Sequence, residues 1–173
     1  MNFFQYIYNL LRTDRRLQII ALLLLAYILY RSTRKIVDMN IESIIKRTAQ
    51  EFGMPENMQL LLVAQAKHET GNFTSNAFIK NKNLYGYKYV SGAQYQLAKG
   101  ITSSEGNAYA SYASIEDSVR EVCAWIRRRQ NESKFPSDLS SLTAHSYAQL
   151  LKNSGYYGDT VANYAKALQN HLT

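Results

Sequence analysis

The chain has 173 residues with one cysteine, and its 20 Lys and Arg exceed its 13 Asp and Glu, giving a net charge of +7. A single cysteine excludes an intrachain disulfide, so a disulfide-stapled fold is ruled out. The basic balance suits an anionic partner such as a cell-wall polymer, lipid head groups or nucleic acid, without choosing among them. Residues 36–173 are enough for one domain with its own hydrophobic core.

The first predicted element is an N-terminal membrane helix. Residues Leu17 to Tyr30 form an apolar stretch without charge, and basic residues flank it on both sides. As a helix it would be about 21 Å long, short of the ~30 Å hydrocarbon core, although snorkelling arginines and interfacial tyrosines narrow the shortfall. We therefore predict a membrane anchor at residues 1–35 and one domain at residues 36–173. A cleaved signal peptide and a buried core helix are the alternatives, and the sidedness of the anchor stays open.

A short polar linker is predicted over residues 31–38, where charged and small polar residues follow the apolar stretch. Asn40 then has the position of an N-cap. Apolar residues recur at helical spacing from Ile41 to Phe52, and Gly53 ends the pattern. The domain is therefore expected to begin with an amphipathic helix.

The next predicted helix, Glu56 to His68, follows Pro55 at a first-turn position and is apolar nearly all round. Such a helix belongs in the middle of a core, and Gly71 stops it. Glu69 stands where this helix opens into a segment rich in glycine and aromatic residues. Burial at such a place raises the pKa of a carboxyl group, as a sugar-cleaving general acid requires near neutral pH. The alternative is an exposed glutamate at a helix end.

Residues 73–112 lose the helical period and are predicted to form loops and a small β-hairpin. Two segments alternate in the manner of strands, residues 85–89 and residues 108–112. Helices resume at Ser114, which together with Asp117 resembles a capping box.

The helix that follows Ser114 ends in a run of three arginines, Arg127 to Arg129. The helix dipole favours cations at this end, which is a structural account of the run; an anion-binding patch is the alternative. Two short helices, residues 142–153 and residues 160–172, complete the chain. The predicted fold class is α+β, mostly α, with a small β-hairpin lobe and a preceding N-terminal membrane helix.

Four segments follow one another over nearly the whole predicted domain and carry a family resemblance. They are Glu69-Thr70-Gly71, Asn83 to Lys88, Tyr112 to Val119, and Ser154 to Asp159 with Tyr164-Ala165. In order and rough spacing they resemble the bacterial endo-β-N-acetylglucosaminidases of glycoside hydrolase family 73, which include flagellar wall-piercing enzymes and many autolysins. The resemblance implies a lysozyme-like α+β fold and cleavage of the glycan strands of peptidoglycan.

The resemblance also implies three catalytic residues. The family's general acid is the glutamate at the end of a core helix, which here is Glu69. Its second glutamate lies in a hairpin at a distance comparable with that of Glu105; alternatively, Glu105 is exposed in a polar turn, or the acetamido group of the substrate supplies the nucleophile. Tyr156 matches a tyrosine that faces the active site. Because Tyr157-Gly158 departs from the family's pattern, the tyrosine in the site is either Tyr156 or Tyr157.

Substrate-binding residues are predicted beside the acid, where tyrosine rings offer flat faces to sugars and hydroxyl groups to their polar edges. They are Asn83, Tyr85, Tyr87, Lys88 and Tyr112. Ordinary core aromatics are the alternative, since 14 tyrosines cannot all be functional. His68-Glu69 lacks the second histidine of a zinc-binding helix, so no metal is expected, and no other cofactor is implied.

The sequence therefore predicts a peptidoglycan hydrolase of the endo-β-N-acetylglucosaminidase type, membrane-anchored with its catalytic domain facing the cell wall. A lytic transglycosylase or muramidase on the same fold is one alternative. A non-catalytic wall-binding or assembly protein is another, and a basic membrane-surface or nucleic-acid protein is a third, although a nucleic-acid partner is not expected. A short anchor with a minimal catalytic domain also suits a wall-piercing device, such as a virion-associated enzyme or part of a secretion apparatus.

Overall fold

The computed structural model describes residues 15–103 and 106–172. Within these residues the chain forms six helices and one two-stranded antiparallel sheet. The elements are α1 (Arg15–Glu51), α2 (Glu56–Thr70), α3 (Asn76–Asn81), β1 (Ala98–Thr102), β2 (Ala108–Ser111), α4 (Ile115–Asn131), α5 (Ala144–Asn153) and α6 (Val161–Gln169).

Helix α1 runs without interruption from Arg15 to Glu51, so the predicted linker at residues 31–38 and the predicted cap at Asn40 are wrong. No glycine or proline occurs anywhere in this span, and polar residues alone do not break a helix. An ion pair between Arg34 and Asp38, 3.4 Å apart and one turn along the helix, lies within the expected linker. The change from apolar to polar residues therefore marks a change of surroundings and not of backbone.

The chain divides into two units, residues 1–40 and residues 41–173. In the first unit the large apolar side chains between Ile19 and Tyr30 are exposed. Within the described part of the chain, no helix combines the length and the apolar character that crossing a membrane requires. The predicted membrane-spanning helix at Leu17 to Tyr30 is thus not confirmed: the arginines that bound it leave about 21 Å of apolar helix.

Helix α2 lies in the core of the second unit, as its apolar composition predicts. The six consecutive residues from Leu61 to Ala66 are all buried, which means that every face of the helix meets other parts of the protein. Lys67 near its end pairs with Glu42 of α1 at 2.7 Å. A partly exposed pair of this kind contributes about 1 kcal/mol at most, so burial of α2 dominates the stability of this region.

The segment between α2 and α4 contains the predicted hairpin, but its first strand lies elsewhere. Strand β2 falls within the expected residues 108–112 and pairs with β1, with a register shift between Lys99 and Thr102. Residues 85–89 contribute only an isolated bridge between Lys88 and Tyr109. The alternating pattern of residues 85–89 therefore predicted a strand where the chain makes a single bridge.

Helix α3 was not predicted, because six residues are too few to show a helical period. Ser75 caps it by accepting a hydrogen bond from the N–H of Phe78. At its other end, the side chain of Asn81 occupies the space in which a Cβ on Gly100 would lie. The glycine in β1 therefore lets the hairpin approach α3 closely.

The last three helices complete the core and begin at identifiable caps. Ser114 caps α4 by accepting from the N–H of Asp117, which is one half of the predicted capping box. Thr143 and Ser146 form a reciprocal capping box at the start of α5. Helix α6 packs against both α5 and α2. This last contact carries Tyr164 of α6 to the end of α2.

Candidate active site

Glu69 occupies the last turn of α2, and local interactions fix where that helix ends. Gly71 adopts a left-handed conformation (φ +56°) and its N–H points back to the carbonyl groups of Lys67 and His68. The hydroxyl of the buried Thr70 donates to the carbonyl of Ala66 at 2.6 Å and accepts from the N–H of Phe73 at 2.8 Å. The side chain of Glu69 is thus held at the boundary between the core and a cleft.

The carboxyl group of Glu69 is partly buried, and its surroundings shift its pKa. The hydroxyl of Tyr164 donates to Oε1 at 2.6 Å. Burial raises the pKa of Glu69, whereas the Tyr164 hydrogen bond and the nearby charge of His68 act in the lowering direction; the net pKa is raised. This carboxyl therefore keeps its proton to a higher pH than an exposed glutamate does.

Tyr164 is itself fixed on two sides. Its ring stacks on Tyr157 with the centroids 4.0 Å apart and the planes 8° from parallel. The ring of His68 meets it edge-on at 5.0 Å. The donor to Glu69 is therefore positioned by packing and cannot easily turn away.

Glu69 opens into a cleft of about 520 Å³. Of the described residues that line it, Glu69 is the one carboxylate. Glu105, the predicted second carboxylate, lies outside the described residues. The remaining lining residues are Ser75, Ala77, Asn83, Tyr85, Gly86, Tyr87, Lys88, Val90, Tyr109, Trp125, Ser154, Gly155, Tyr156 and Tyr157. No group of three or more His, Cys, Asp or Glu side chains that could hold a metal is found in the part of the chain described.

Asn83 builds the cleft wall beside the acid. Its Nδ2 donates to the carbonyls of Tyr87 at 2.8 Å and Ala110 at 3.1 Å, while its Oδ1 accepts from the N–H groups of Tyr85 and Tyr87. The side chain is 1% exposed. Asn83 therefore ties the wall to the hairpin, and this network explains an asparagine at this position without contact to a substrate.

Gly86 brings the backbone of the wall next to the acid. It has φ +66°, and a Cβ built there would lie 3.7 Å from Oε2 of Glu69. The distance is an ordinary van der Waals contact, so the constraint on this residue is conformational. Oε2 is thus the carboxyl oxygen that faces the Gly86 wall, while Oε1 is held by Tyr164.

We expect Gly86→Ala to reduce the free energy of unfolding by about 1–2 kcal/mol, because an L side chain is strained at this positive φ. The rate of substrate cleavage should fall too, since relief of the strain moves the wall beside Glu69. Urea unfolding and an activity assay measure both effects. Gly158→Ala is the matched control: Gly158 is not at positive φ and has open space around it, so little change is expected. Wild-type stability and activity in Gly86→Ala would contradict this view of the wall.

Tyr156 and Tyr157 both line the cleft, and each uses its hydroxyl proton inside the protein. Tyr156 donates to the main-chain carbonyl of Tyr85, and Tyr157 donates to the carbonyl of Ala148 at 2.9 Å. Burial, followed by the charge of Glu69, raises the pKa of Tyr156 well above its ordinary value. Tyr156 is therefore neutral, and Tyr157 serves to hold Tyr164.

The other predicted substrate-binding residues separate into two groups. Tyr87 and Lys88 line the cleft, and the ammonium group of Lys88 lies 4.4 Å from the ring centroid of Tyr109. The ring of Tyr85 is 1% exposed and belongs to the core, with its carbonyl serving Tyr156. Tyr112 is also buried, does not line the cleft, and donates to Oε2 of Glu121 at 2.7 Å.

The sequence model of one protein family matches residues 42–173, which is most of the chain. Its description is glucosaminidase, mannosyl-glycoprotein endo-beta-N-acetylglucosaminidase. The chain belongs to this family. The predicted family resemblance is confirmed, and this glucosaminidase is a glycoside hydrolase. No curated protein matches it.

Several solved structures share the fold of this glucosaminidase. A peptidoglycan hydrolase from Sphingomonas sp. A1 is 21% identical with a TM-score of 0.54, covering 76% of this chain and 92% of its own. The catalytic domain of the autolysin Auto from Listeria monocytogenes is 18% identical with a TM-score of 0.53, and the match covers 80% of this chain and 82% of that domain. A chain of a type VI secretion system effector–immunity complex from Pseudomonas protegens is 16% identical with a TM-score of 0.52. The match covers 78% of this chain and 90% of that chain. The lysozyme-like α+β fold with a small hairpin is therefore confirmed.

Tyr164 is the residue of this glucosaminidase whose place in the site the sequence did not indicate. It belongs to one of the segments that carry the family resemblance, but nothing local pairs it with a carboxyl group 95 residues away. Trp125 is 8% exposed and also lines the cleft.

Proposed function

We propose that this glucosaminidase is a peptidoglycan hydrolase that cleaves the β-1,4 bond on the reducing side of N-acetylglucosamine. The observation that carries the proposal is Glu69: a half-buried carboxyl with a raised pKa, set in a cleft lined by tyrosines and glycines. The family match supports a glucosaminidase, and neighbours of the same fold include a peptidoglycan hydrolase and an autolysin. Aromatic faces along the cleft suit sugar rings.

Glu69 acts as the general acid. Tyr164 donates to Oε1, so in the neutral acid Oε1 is the carbonyl oxygen that accepts this hydrogen bond. The proton of the acid therefore resides on Oε2. That oxygen lies beside Gly86. Oε2 therefore protonates the glycosidic oxygen as the bond to the anomeric carbon breaks, and Tyr164 stabilises the carboxylate that remains.

The opposite face of the sugar needs a second group once positive charge develops on the ring. Glu105 fills this role as base or nucleophile, or the acetamido group of the substrate does so with Glu105 as its orienting partner. Tyr156 assists from the cleft. Because its proton is committed to the carbonyl of Tyr85, its oxygen offers a lone pair to the cationic sugar.

A lytic transglycosylase is the second candidate, and one observation favours it. Glu69 is the single carboxylate among the described residues of the cleft, and a transglycosylase needs only one residue that acts first as acid and then as base. In that reaction the C6 hydroxyl of N-acetylmuramic acid attacks the anomeric carbon of the same sugar, the bond from that carbon to the next sugar breaks, and the leaving oxygen takes the proton of the acid. The product is a 1,6-anhydro sugar. The two functions differ in the new sugar end.

For the location of the enzyme, we propose a lipid surface on the side of the cell wall. The exposed apolar side chains from Ile19 to Tyr30, followed by Arg31, Arg34 and Lys35, fit such a surface. A wall-piercing assembly or a virion membrane would give the chain the same surroundings. Flotation of the full chain with anionic lipid vesicles tests the association, and recovery in the lipid-free fraction would refute it.

The test of function is digestion of purified peptidoglycan by the full chain, followed by borohydride reduction and mass spectrometry of the products. New reduced N-acetylglucosamine ends support the proposed glucosaminidase. Anhydro-N-acetylmuramic acid ends indicate the transglycosylase, and reduced N-acetylmuramic acid ends indicate a muramidase. Absence of release by folded protein would point to wall binding without catalysis.

A further inference from the structure

The three arginines at the end of α4 have three different environments. Arg127 donates to the carbonyls of Phe52 and Gly53 at 2.8 and 3.2 Å. Arg129 pairs with Glu132 at 2.6 Å and lies over the ring of Trp125. Contacts within the protein therefore account for two of the three arginines.

Arg128 is the exception. It is exposed, and no hydrogen bond or ion pair joins it to any residue that the structure describes. It lines a second cavity of about 340 Å³. An arginine that lines a cavity and makes no such contact with the described residues offers a planar pair of donors to a carboxylate.

The second cavity adjoins the catalytic cleft, and the two share a wall. Tyr87, Lys88, Val90 and Trp125 line both. Its far side is formed by residues 93–96 together with side chains of α4. A sugar bound in the cleft would therefore lie next to the second cavity, with the Tyr87–Lys88 wall between them.

The charged groups around the second cavity are the cations Lys88 and Arg128 and, among its described lining residues, one carboxylate, Glu121. Lys88 has an interaction of its own, so its charge is not counted toward a ligand. Both oxygens of Glu121 are already used: Oε1 accepts from Gln96 at 2.7 Å and Oε2 accepts from Tyr112 at 2.7 Å. Arg128 is thus left to bind a group from outside the protein.

We propose that the second cavity binds a carboxylate on the lactyl arm of N-acetylmuramic acid, with Arg128 as its principal ligand. The carboxylate belongs either to the acidic peptide stem or to the free lactyl group of a strand without stems. This inference rests on the proposed function, because it takes a peptidoglycan strand as the occupant of the cleft. The site makes the enzyme prefer acidic strands to neutral oligomers of N-acetylglucosamine.

The test measures binding by calorimetry in the full chain carrying Glu69→Gln, which holds the substrate without cleaving it. Three soluble oligosaccharides of equal length are compared: one with peptide stems, one stripped of stems by an amidase, and a neutral N-acetylglucosamine oligomer. Adding Arg128→Gln should lower the ratio of acidic to neutral affinity about tenfold, the loss of one charge-assisted interaction. The acidic oligomer that shows the loss identifies the source of the carboxylate.

Arg47→Gln is the matched control, since it removes the same charge from an exposed pair with Glu116 far along the sequence from the cavity. The ratio should not change in this variant. An equal loss for all three oligosaccharides, or no loss for either acidic one, would overturn the proposed site. If Arg128→Gln lowers the ratio but the wild-type chain releases no product from peptidoglycan, the proposed activity fails and the carboxylate site stands. If the wild-type chain cleaves peptidoglycan but Arg128→Gln leaves the ratio of acidic to neutral affinity unchanged, the carboxylate site fails and the proposed activity stands.

Discussion

Replacing Glu69 by Gln lowers the rate of glycan cleavage about 10³-fold, because the amide cannot donate a proton to the leaving oxygen. The amide oxygen can still accept the hydrogen bond from Tyr164, so the site keeps its packing. The rate is measured by release of soluble sugar ends from purified peptidoglycan. Glu56→Gln makes the same chemical change at the exposed start of α2 and should leave the rate as it is.

The stability of the Glu69→Gln variant separates loss of catalysis from loss of fold. The pKa of Glu69 is raised by burial, so the folded state binds this proton more tightly than the unfolded state does. Stability from this group is present at low pH and is lost as pH rises through the raised pKa. Glutamine does not ionise, so the Glu69→Gln variant does not lose this stability as pH rises. It should unfold at or above the wild-type temperature at neutral pH. An inactive variant that melts well below the wild type would leave the role of Glu69 unsupported.

Replacing Tyr164 by Phe moves the alkaline limb of the pH–rate profile to higher pH. The hydroxyl of Tyr164 favours the charged form of Glu69, so its removal raises the pKa of the carboxyl further. A general acid works only while protonated, and the enzyme should therefore stay active to a higher pH. The maximal rate should fall about tenfold because Oε1 loses the contact that orients the carboxyl.

The pH dependence distinguishes a positioning role of Tyr164 from mere structural support. A variant that only loosened the fold would lose rate at every pH without moving the limb. Tyr89→Phe removes a hydroxyl outside the lining of the cleft and serves as the control for the limb position. A limb that stays in place or moves to lower pH in Tyr164→Phe would contradict the assignment.

The catalytic helix could be predicted because its signals are local. Pro55, an apolar run and Gly71 define α2 within about two residues, and the left-handed conformation of Gly71 is what ends it before the cleft. The position of Glu69 at a core boundary follows from this. Burial of the carboxyl was predictable for the same reason, since a helix apolar on all faces carries its end into the core.

The partners of Glu69 could not be predicted, because packing between distant segments brings them together. Helix α6 lies against α2, and only that contact places Tyr164 on Oε1. Likewise, Tyr85 and Tyr87 belong to one motif, yet the first ring fills the core while the second lines two cavities. Residue type does not separate these roles; the orientation of the backbone does.

In the N-terminal helix, the hydropathy of the sequence led to a wrong prediction of the backbone. The polar residues 31–38 suggested a linker, but a sequence without glycine or proline continues as helix to Glu51. Hydropathy reports the surroundings of a segment, whereas propensity and breakers decide its backbone.

The ionisation of Glu69 tests the central claim most directly. A ¹³C NMR titration of the glutamate side-chain carboxyls, with Glu69→Gln to assign the resonance, gives its pKa in the free enzyme. We predict that Glu69 titrates at higher pH than a glutamate ordinarily does, and at still higher pH in Tyr164→Phe. Titration of Glu69 at or below the ordinary pKa of a glutamate would contradict its assignment as a protonated general acid.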